Sequence, residues 1–203
     1  MMTLAEVAAW TGGRAQGEAR LAAVCTDTRN LSPDSLFVAL RGPRFDGHDH
    51  LGEAREAGAA GALVAAGREP GDLPAVAVPD TAQGLLDLAA GWRRRQPARV
   101  AAITGSCGKT TVKEMLAAIL TEAAGEAGAL ATRGNLNNTV GAPLTLLRLG
   151  PDHRYAAVEL GINRPGEMDR LATAVRPDVA VITNAEAAHL EGLGSVETVA
   201  AEK

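Results

Sequence analysis

The sequence predicts an α/β protein in two parts: a small amino-terminal α/β module (residues 1–81) and the start of a parallel-sheet domain (residues 82–203). Short apolar runs without polar alternation are typical of strands buried on both faces. Helical patterns separate these runs, which favours parallel strands joined by crossover helices. A Gly-Lys-Thr turn at 108–110 links one such strand to a helix.

The amino-terminal module is predicted from alternating helix and strand signals. Thr3 and Glu6 have capping-box spacing, and Gly12-Gly13 ends the short helix that they begin. A strand is predicted at 36–40, and a helix at 51–58 that is closed by a glycine. Two more strands are predicted at 62–66 and 76–78. A helical pattern at 81–95 stops at Pro97, so we place the domain boundary near Thr81.

The second domain is predicted from three apolar strands, at 100–104, 156–160 and 179–183. A helix with an apolar face follows the first strand, its apolar residues spaced as Val112, Met115, Leu116, Ile119 and Leu120. Another helix is predicted at 167–175. A last one begins at Ser195 and stops with the chain, which predicts that the chain is part of a longer protein.

Composition excludes several classes of protein. Hydrophobic residues make up 46% of the 203 residues, which is enough for a core. The net charge of -4 argues against a nucleic-acid partner, and we interpret Arg93–Arg95 as a solvated helix end. Cys25 and Cys107 have neither disulfide nor zinc spacing. Neither a signal peptide nor a membrane-spanning run is evident, so we expect a cytoplasmic protein.

The turn between the strand at 100–104 and its helix has the composition of a phosphate-binding loop. Its residues are Gly105, Ser106, Cys107, Gly108, Lys109, Thr110 and Thr111. Glycines allow tight turns, backbone amides at a helix start attract anions, and the lysine can reach terminal phosphates. The loop is a shortened variant, because Ile103 stands where the usual pattern has a glycine. The alternative is a purely structural turn.

Polar residues also follow the other two strands of the second domain. Glu159 ends the second strand, and His189 follows the third. Ligands of parallel sheets bind beyond the carboxyl ends of the strands, so these residues could meet at the phosphate loop. A buried carboxylate is costly unless compensated, either by Mg²⁺ or by an ion pair with arginine. His189 could instead be a hydrogen-bonded structural histidine.

An Asn-rich segment forms the remaining candidate site. It contains Asn135, Asn137, Asn138 and Thr139 around a single leucine. Amides can read the carbonyls and hydroxyls of a ligand, although asparagines are also common in turns.

Four stretches together resemble the Mur ligase family. They are TDTR at 26–29 with SLFVALRGPRFDGHDHL at 35–51; ITGSCGKTTVKEML at 103–116; GNLNNTVGAPLTLLRL at 134–149; and ELGINRPGE at 159–167 with ITNAEAAHLEGLGS at 182–195. The Asn-rich stretch is similar to that of members that add a D-alanyl-D-alanine unit.

The resemblance implies a substrate-binding amino-terminal domain followed by the start of a P-loop parallel-sheet ATPase domain. It implies an ATP- and Mg²⁺-dependent ligase that joins D-alanyl-D-alanine to UDP-N-acetylmuramoyl-tripeptide through an acyl phosphate. The implied enzyme is a cytoplasmic monomer without nucleic-acid or membrane partners. The alternatives are a sister ligase that adds a single amino acid, or a fragment that binds UDP-sugar and MgATP without turnover. A GTPase or kinase is disfavoured because no Asn-Lys-x-Asp motif is present.

The resemblance also implies roles for single residues. Gly105 to Thr111 would hold the ATP phosphates, with Lys109 acting in catalysis. Thr110, Glu159 and His189 would organise Mg²⁺, and Lys203 would help to hold a second ion if carbamylated, or be an ordinary solvated lysine. The UDP end would contact Thr28, Arg29, Arg44, Phe45, Asp46, Gly47 and His48. The muramoyl-peptide part would contact Asn135, Asn137, Asn138 and Thr139.

The chain departs from the family pattern in two places. Cys107 stands where Ser, Thr, Asn or Lys is more usual, which predicts an oxidisable loop. Residues 184–188 (NAEAA) replace a more usual Val-Gly-Pro-Ala before the histidine.

Overall fold

The computed structural model describes residues 1–187 and 190–203. The chain forms two compact units, Met1–Gly91 and Trp92–Lys203. They divide inside the helix whose first residue, Thr81, marks the boundary that we expected.

The first unit is built on a five-stranded sheet in the order β2-β7-β6-β5-β4. Strands β4 to β7 are parallel, β2 pairs antiparallel with β7, and β1 pairs with β3 outside this sheet. The elements are β1 (Met2–Thr3), α1 (Leu4–Thr11), β2 (Arg14–Gln16), β3 (Arg20–Leu21), β4 (Ala23–Cys25), β5 (Ser35–Val38), α2 (Leu51–Glu56), β6 (Ala59–Ala65), β7 (Ala75–Val78) and the larger part of α3 (Thr81–Arg95).

Local signals explain several of these elements. The predicted capping box is present, because Thr3 and Glu6 exchange hydrogen bonds at the start of α1, and Gly12 ends that helix at a φ of 63°. Strand β5 is buried at every position. It ends two residues before the predicted limit, because the amide of Leu40 bonds within its own segment, to the carbonyl of Val38.

The second unit is built on a four-stranded parallel sheet in the order β11-β8-β10-β9, which confirms the predicted α/β class and parallel sheet. The elements are β8 (Arg99–Thr104), α4 (Lys109–Ala124), β9 (Ala129–Ala131), α5 (Gly141–Leu146), β10 (Tyr155–Glu159), α6 (Glu167–Val175), β11 (Val179–Ile182), α7 (Leu190–Leu193) and α8 (Val196–Glu202). Ile103 of β8 lies opposite Glu159, and Thr104 lies opposite Ile182, so three strands end at one edge.

The predicted apolar face of α4 is only partly buried. Met115 and Ile119 are 63% and 64% exposed, whereas the polar Lys113 is 1% exposed and pairs with Glu114. The helix packs on β9 and β10, while β11 is an edge strand whose Val179 and Ile182 are more than half exposed. An apolar face is buried only where another element covers it, and in the described ranges nothing pairs with the outer edge of β11.

The end of α3 also differs from expectation. Arg94 and Arg95 are exposed as predicted, but Arg93 is buried. Its Nε donates to the carbonyl of Val175 at 3.1 Å, and its Nη2 pairs with Asp178 at 3.2 Å. Burial lowers the pKa of the Arg93 guanidinium. Arg93 therefore packs the last turn of α3 against Val175 and Asp178 within the second unit. Among the described helices, none has both the length and the apolar character needed to span a membrane.

Candidate functional site

The phosphate-type loop lies between β8 and α4, as predicted. Its glycines take positive φ values, 145° at Gly105 and 77° at Gly108. The Nζ of Lys109 donates to the carbonyls of Gly105 and Ser106, at 2.7 and 3.1 Å. These bonds curl the loop around the ammonium group. The amides of residues 108–111 begin a helix of 16 residues, and within the described part of the chain they have no hydrogen-bond acceptor.

Residues 183–186, which follow β11, bind this loop; we call them the strap. Asn184 Oδ1 accepts hydrogen bonds from the amides of Ser106 and Cys107, at 3.0 and 2.9 Å. Thr183 Oγ1 donates to the carbonyl of Cys107 at 2.6 Å. Ser106 Oγ lies 2.9 Å from both the carbonyl and the amide of Glu186. These contacts were not predicted, because in the sequence residues 184–188 stand out only as a departure from the family pattern.

Glu159 is held rigidly at the end of β10. The residue is 1% exposed, and its amide donates to Thr132 Oγ1 at 2.9 Å. Asn137 Nδ2 donates to Glu159 Oε1 at 2.7 Å, whereas Oε2 is buried and has no partner among the described residues. The predicted alternative, an ion pair with arginine, is likewise absent from the described part of the chain.

Two asparagines of the Asn-rich segment make hydrogen bonds within the chain. Asn138 Oδ1 accepts from the amides of Val140 and Gly141, so this side chain forms a turn before α5. Asn137 instead reaches Glu159. A Cβ atom on Gly161 would lie 3.0 Å from Asn137 Oδ1, so glycine leaves room for that amide. Asn135 is exposed and Thr139 is half-buried.

The structure describes the other predicted metal ligands, Thr110, His189 and Lys203, less completely than Glu159. Thr110 is exposed at the start of α4. His189 lies outside the described residues. Lys203 is half-buried, and its pKa is lowered, first by burial and then by the charge of Lys109. The described residues contain no cluster of three or more acidic, histidine or cysteine side chains able to hold a metal ion. The buried Glu159 Oε2 is therefore the strongest sign of a cation here.

In the first unit, four residues of the predicted UDP site line one open hollow of about 440 Å³. They are Thr28, Arg29, Phe45 and Gly47, and the other lining residues are Thr26, Asp27, Phe37, His50 and Glu53. A hollow of about 510 Å³ elsewhere on this unit contains Glu18 and Arg20 among small residues and includes no predicted site residue. We therefore place the candidate site in the hollow that contains Arg29.

Charged groups at the rim of this hollow are paired. Asp27 binds Arg29 through two oxygens, at 2.9 and 2.6 Å, and these hydrogen bonds lower the pKa of the Asp27 carboxyl to about 2. Glu53 Oε2 accepts from Thr28 at 3.3 Å and lies 3.0 Å from His50 Nδ1. Sequence reasoning missed Glu53 and His50. Their spacing of three residues around the start of a helix is the signal that could have paired them.

His48 and Asp46 have a different position from the one expected. The His48 side chain is only 5% exposed, its Nδ1 lies 2.5 Å from Asp46 Oδ1, and its Nε2 accepts from the amide of Ala65 at 2.9 Å. The hydrogen bond with His48 is the main cause that lowers the pKa of Asp46, which also pairs with Arg68. Both ring nitrogens are thus used within the chain, whereas the resemblance implies that His48 contacts the UDP end. Arg44 is exposed and does not line the hollow.

Family models match both units. The Mur ligase family catalytic domain matches residues 20–93, and the Mur ligase middle domain matches residues 103–203.

The chain belongs to the Mur ligase family.

Similar family members carry the name of one enzyme activity. A UDP-N-acetylmuramoyl-tripeptide--D-alanyl-D-alanine ligase of Escherichia coli (strain K12) is 49% identical over 203 residues, which cover 100% of this chain and 44% of the relative. The ligase of the same name from Bacillus subtilis (strain 168) is 40% identical over 89% of this chain and 39% of the relative. The chain thus spans less than half the length of these Mur ligases.

Solved structures of Mur ligases agree with the fold. A MurF crystal structure from Acinetobacter baumannii superposes with a TM-score of 0.87 and 37% identity, over 98% of this chain and 44% of that chain. MurF ligase from Thermotoga maritima, solved in complex with ADP, superposes with a TM-score of 0.78 and 31% identity. The match covers 89% of this chain and 41% of that chain.

Proposed function

We propose that this chain is part of an ATP-dependent ligase that joins D-alanyl-D-alanine to UDP-N-acetylmuramoyl-tripeptide during peptidoglycan precursor synthesis. The observation that carries the chemistry is the buried Glu159 Oε2 at a strand end beside the phosphate-type loop. The E. coli relative of that activity, 49% identical along the whole chain, supports the choice of substrates. A cytoplasmic location and a monomeric state remain predictions.

The ATP phosphates would bind at the start of α4. Amides of residues 108–111 are free of partners in the described structure, and a helix start carries partial positive charge. Lys109 already lies over the loop, where its ammonium would spread the charge of the transferring phosphoryl group. The T. maritima MurF bound to ADP supports a nucleotide at a site of this fold.

The residues around Glu159 fit a divalent cation. Oxygen donors suit Mg²⁺, and the buried Oε2, which has no partner among the described residues, supplies one. The Thr110 hydroxyl, at the start of the helix that follows the adjacent strand, would supply another. When bound, the cation would neutralise charge on the phosphates. His189 is proposed as a further ligand from the family resemblance alone.

Lys203 would complete this region as a carbamate. A carbamate forms only from a neutral amine, and a lowered pKa increases the neutral fraction at a given pH. Because Lys109 contributes to that lowered pKa, Lys203 lies within electrostatic reach of the phosphate loop. A negatively charged carbamate there would be favoured by Lys109 and by a metal ion.

The UDP end of the substrate would occupy the hollow of the first unit. Arg29 is 84% exposed, and its pairing with Asp27 fixes its orientation for phosphate. Phe45, 58% exposed at the rim, offers a ring face for a base, and Thr28 offers a hydroxyl. Asp46 and His48 would support the residues that line this hollow. In the second unit, Asn135 and Thr139 remain the proposed contacts of the muramoyl peptide.

The reaction would begin at the peptide carboxylate, which is a poor acyl donor. The γ-phosphoryl group of ATP would pass to that carboxylate with release of ADP. The neutral amine of D-alanyl-D-alanine would then attack the acyl phosphate, and inorganic phosphate would leave as the nitrogen loses a proton. The described residues provide phosphate binding and charge stabilisation for the first step. Because the chain spans 44% of its E. coli relative, we propose that by itself it binds substrate and nucleotide without turnover.

The proposal is tested by amine dependence in a longer protein that contains this chain. Phosphate release from ATP should require both UDP-N-acetylmuramoyl-tripeptide and D-alanyl-D-alanine. Release with a single amino acid in place of the dipeptide would favour the sister ligase instead.

A further inference from the structure

Several hydrogen bonds link the phosphate loop to the strap, and those made by Asn184 all accept from loop amides. Asn184 supplies two acceptors to the loop. Its Oδ1 accepts hydrogen bonds from the amides of Ser106 and Cys107, and its backbone carbonyl lies 3.1 Å from the Ser106 amide. The amide of Cys107 has Asn184 Oδ1 as its acceptor at 2.9 Å. An amide oxygen that accepts from two consecutive N–H groups resembles a bound anion in geometry, but it carries no net charge.

This arrangement divides the amides of the loop into two groups. The first two, at Ser106 and Cys107, are occupied by Asn184. The next four, at 108–111, have no acceptor in the described part of the chain and lie at the start of α4. The strap therefore holds the upstream half of the loop and leaves the downstream half open for a ligand.

Gly105 provides independent support for a close contact between loop and strap. A Cβ atom at this position would lie 1.8 Å from Thr183 Oγ1 and 3.2 Å from the amide of Asn184. Any side chain at 105 would push the strap away. The glycine is thus explained by the approach of the strap as well as by its φ of 145°.

We propose that Asn184 is a positioning residue that braces the phosphate loop in its binding conformation. The proposal rests on the proposed function, in which this loop holds nucleotide phosphates. The opposite role would be a plug, in which Asn184 Oδ1 occupies a phosphate position and must leave. Two further anchors, Thr183 on Cys107 and Glu186 on Ser106, hold the same segment against the loop, which favours the brace over the plug.

The two roles predict opposite effects on affinity. We would measure MgADP binding to the 203-residue chain by calorimetry, for the unmodified protein and for Asn184→Ala. Loss of two hydrogen bonds to the loop should weaken MgADP by about tenfold or more. Affinity that is unchanged or tighter in Asn184→Ala would overturn the brace. Asn163→Ala is the matched control, because that residue is exposed and has no proposed role.

A conservative variant separates positioning from general loss of structure. Asn184→Asp keeps an acceptor of the same shape but places a negative charge beside the phosphates. It should retain the loop conformation yet weaken MgADP, with a loss that shrinks as salt is raised. Equal losses for Asn184→Asp and Asn184→Ala at every salt concentration would contradict the proposed geometry.

Amide exchange tests the brace without any nucleotide. By nuclear magnetic resonance, the Cys107 amide should be protected in the unmodified chain and in Asn184→Asp. In Asn184→Ala it should exchange about tenfold faster or more, while the amide of Leu160 in the sheet is unaffected. Unchanged Cys107 exchange in Asn184→Ala would overturn the brace. Failure of the unmodified chain to bind MgADP would instead count against the proposed function.

Discussion

The side-chain amide of Asn137 donates a 2.7 Å hydrogen bond to Oε1 of Glu159 and so fixes the orientation of this buried carboxylate. The second oxygen, Oε2, is left without a partner in the described residues. A carboxylate in this position is favourable only if a cation or another donor compensates it.

Replacing Glu159 by Gln should therefore weaken the Mg²⁺ dependence of nucleotide binding. The amide keeps the size of the side chain but removes the charge that attracts the cation. We expect the Mg²⁺ concentration needed for half-maximal ADP binding to rise by about tenfold or more. Glu122→Gln, on the exposed surface of α4, is the control. An unaltered Mg²⁺ titration would remove Glu159 from the metal site.

Lys109→Ala should abolish MgADP binding to this chain. The variant removes the ammonium that lies over the loop and both of its bonds to the loop carbonyls. Calorimetry measures the loss, and binding of UDP to the first unit should be preserved as the internal control. Retained nucleotide affinity would refute the assignment of the phosphate loop.

Cys107 should report nucleotide binding through its thiol. This cysteine is exposed in the loop, whereas Cys25 is half-buried with its Sγ 3.0 Å from the Asp27 carbonyl. A thiol reagent should modify Cys107 faster than Cys25, and saturating MgADP should slow only the reaction at Cys107. Mass spectrometry of the labelled peptides gives both rates. Cys107→Ser, which has no thiol at this position, is the control. Equal modification of Cys107 with and without MgADP would contradict nucleotide binding at this loop.

Lys203 should form a carbamate more readily than a surface lysine. Its pKa is lowered by burial and by Lys109, so its neutral fraction at a given pH is larger than that of an exposed lysine and grows as pH rises. With ¹³C-bicarbonate, a carbamate resonance should appear and strengthen with pH, and it should be missing in Lys203→Arg. A spectrum identical for the two proteins would leave Lys203 as an ordinary lysine.

Features set by neighbours in the chain could be predicted from sequence. Helix α6 has the predicted bounds, Glu167–Val175, and Ser195 caps α8 through the amide of Thr198. The capping box of α1 and the loop between β8 and α4 were predicted for the same reason. Periodicity, capping and turn chemistry act over a few residues, so a single sequence contains them.

Features set by distant parts of the chain could not be predicted. The Asn184 bonds to the phosphate loop join residues more than seventy positions apart. His48 looks like a loop residue in the sequence, and only the amide of Ala65 on β6 explains its burial. Likewise, the apolar spacing of α4 does not reveal which of its residues meet β9 and β10, so the exposure of Met115 was not foreseen.

Calorimetric titration with UDP-N-acetylmuramoyl-tripeptide tests whether this chain holds the substrate of a D-alanyl-D-alanine-adding ligase. UDP alone is the reference ligand, and Arg29→Ala is the variant that should weaken both, because Arg29 lines the hollow of the first unit. We expect saturable heat with the tripeptide compound and tighter binding than with UDP. No saturable heat with either ligand would contradict the placement of the substrate on this chain.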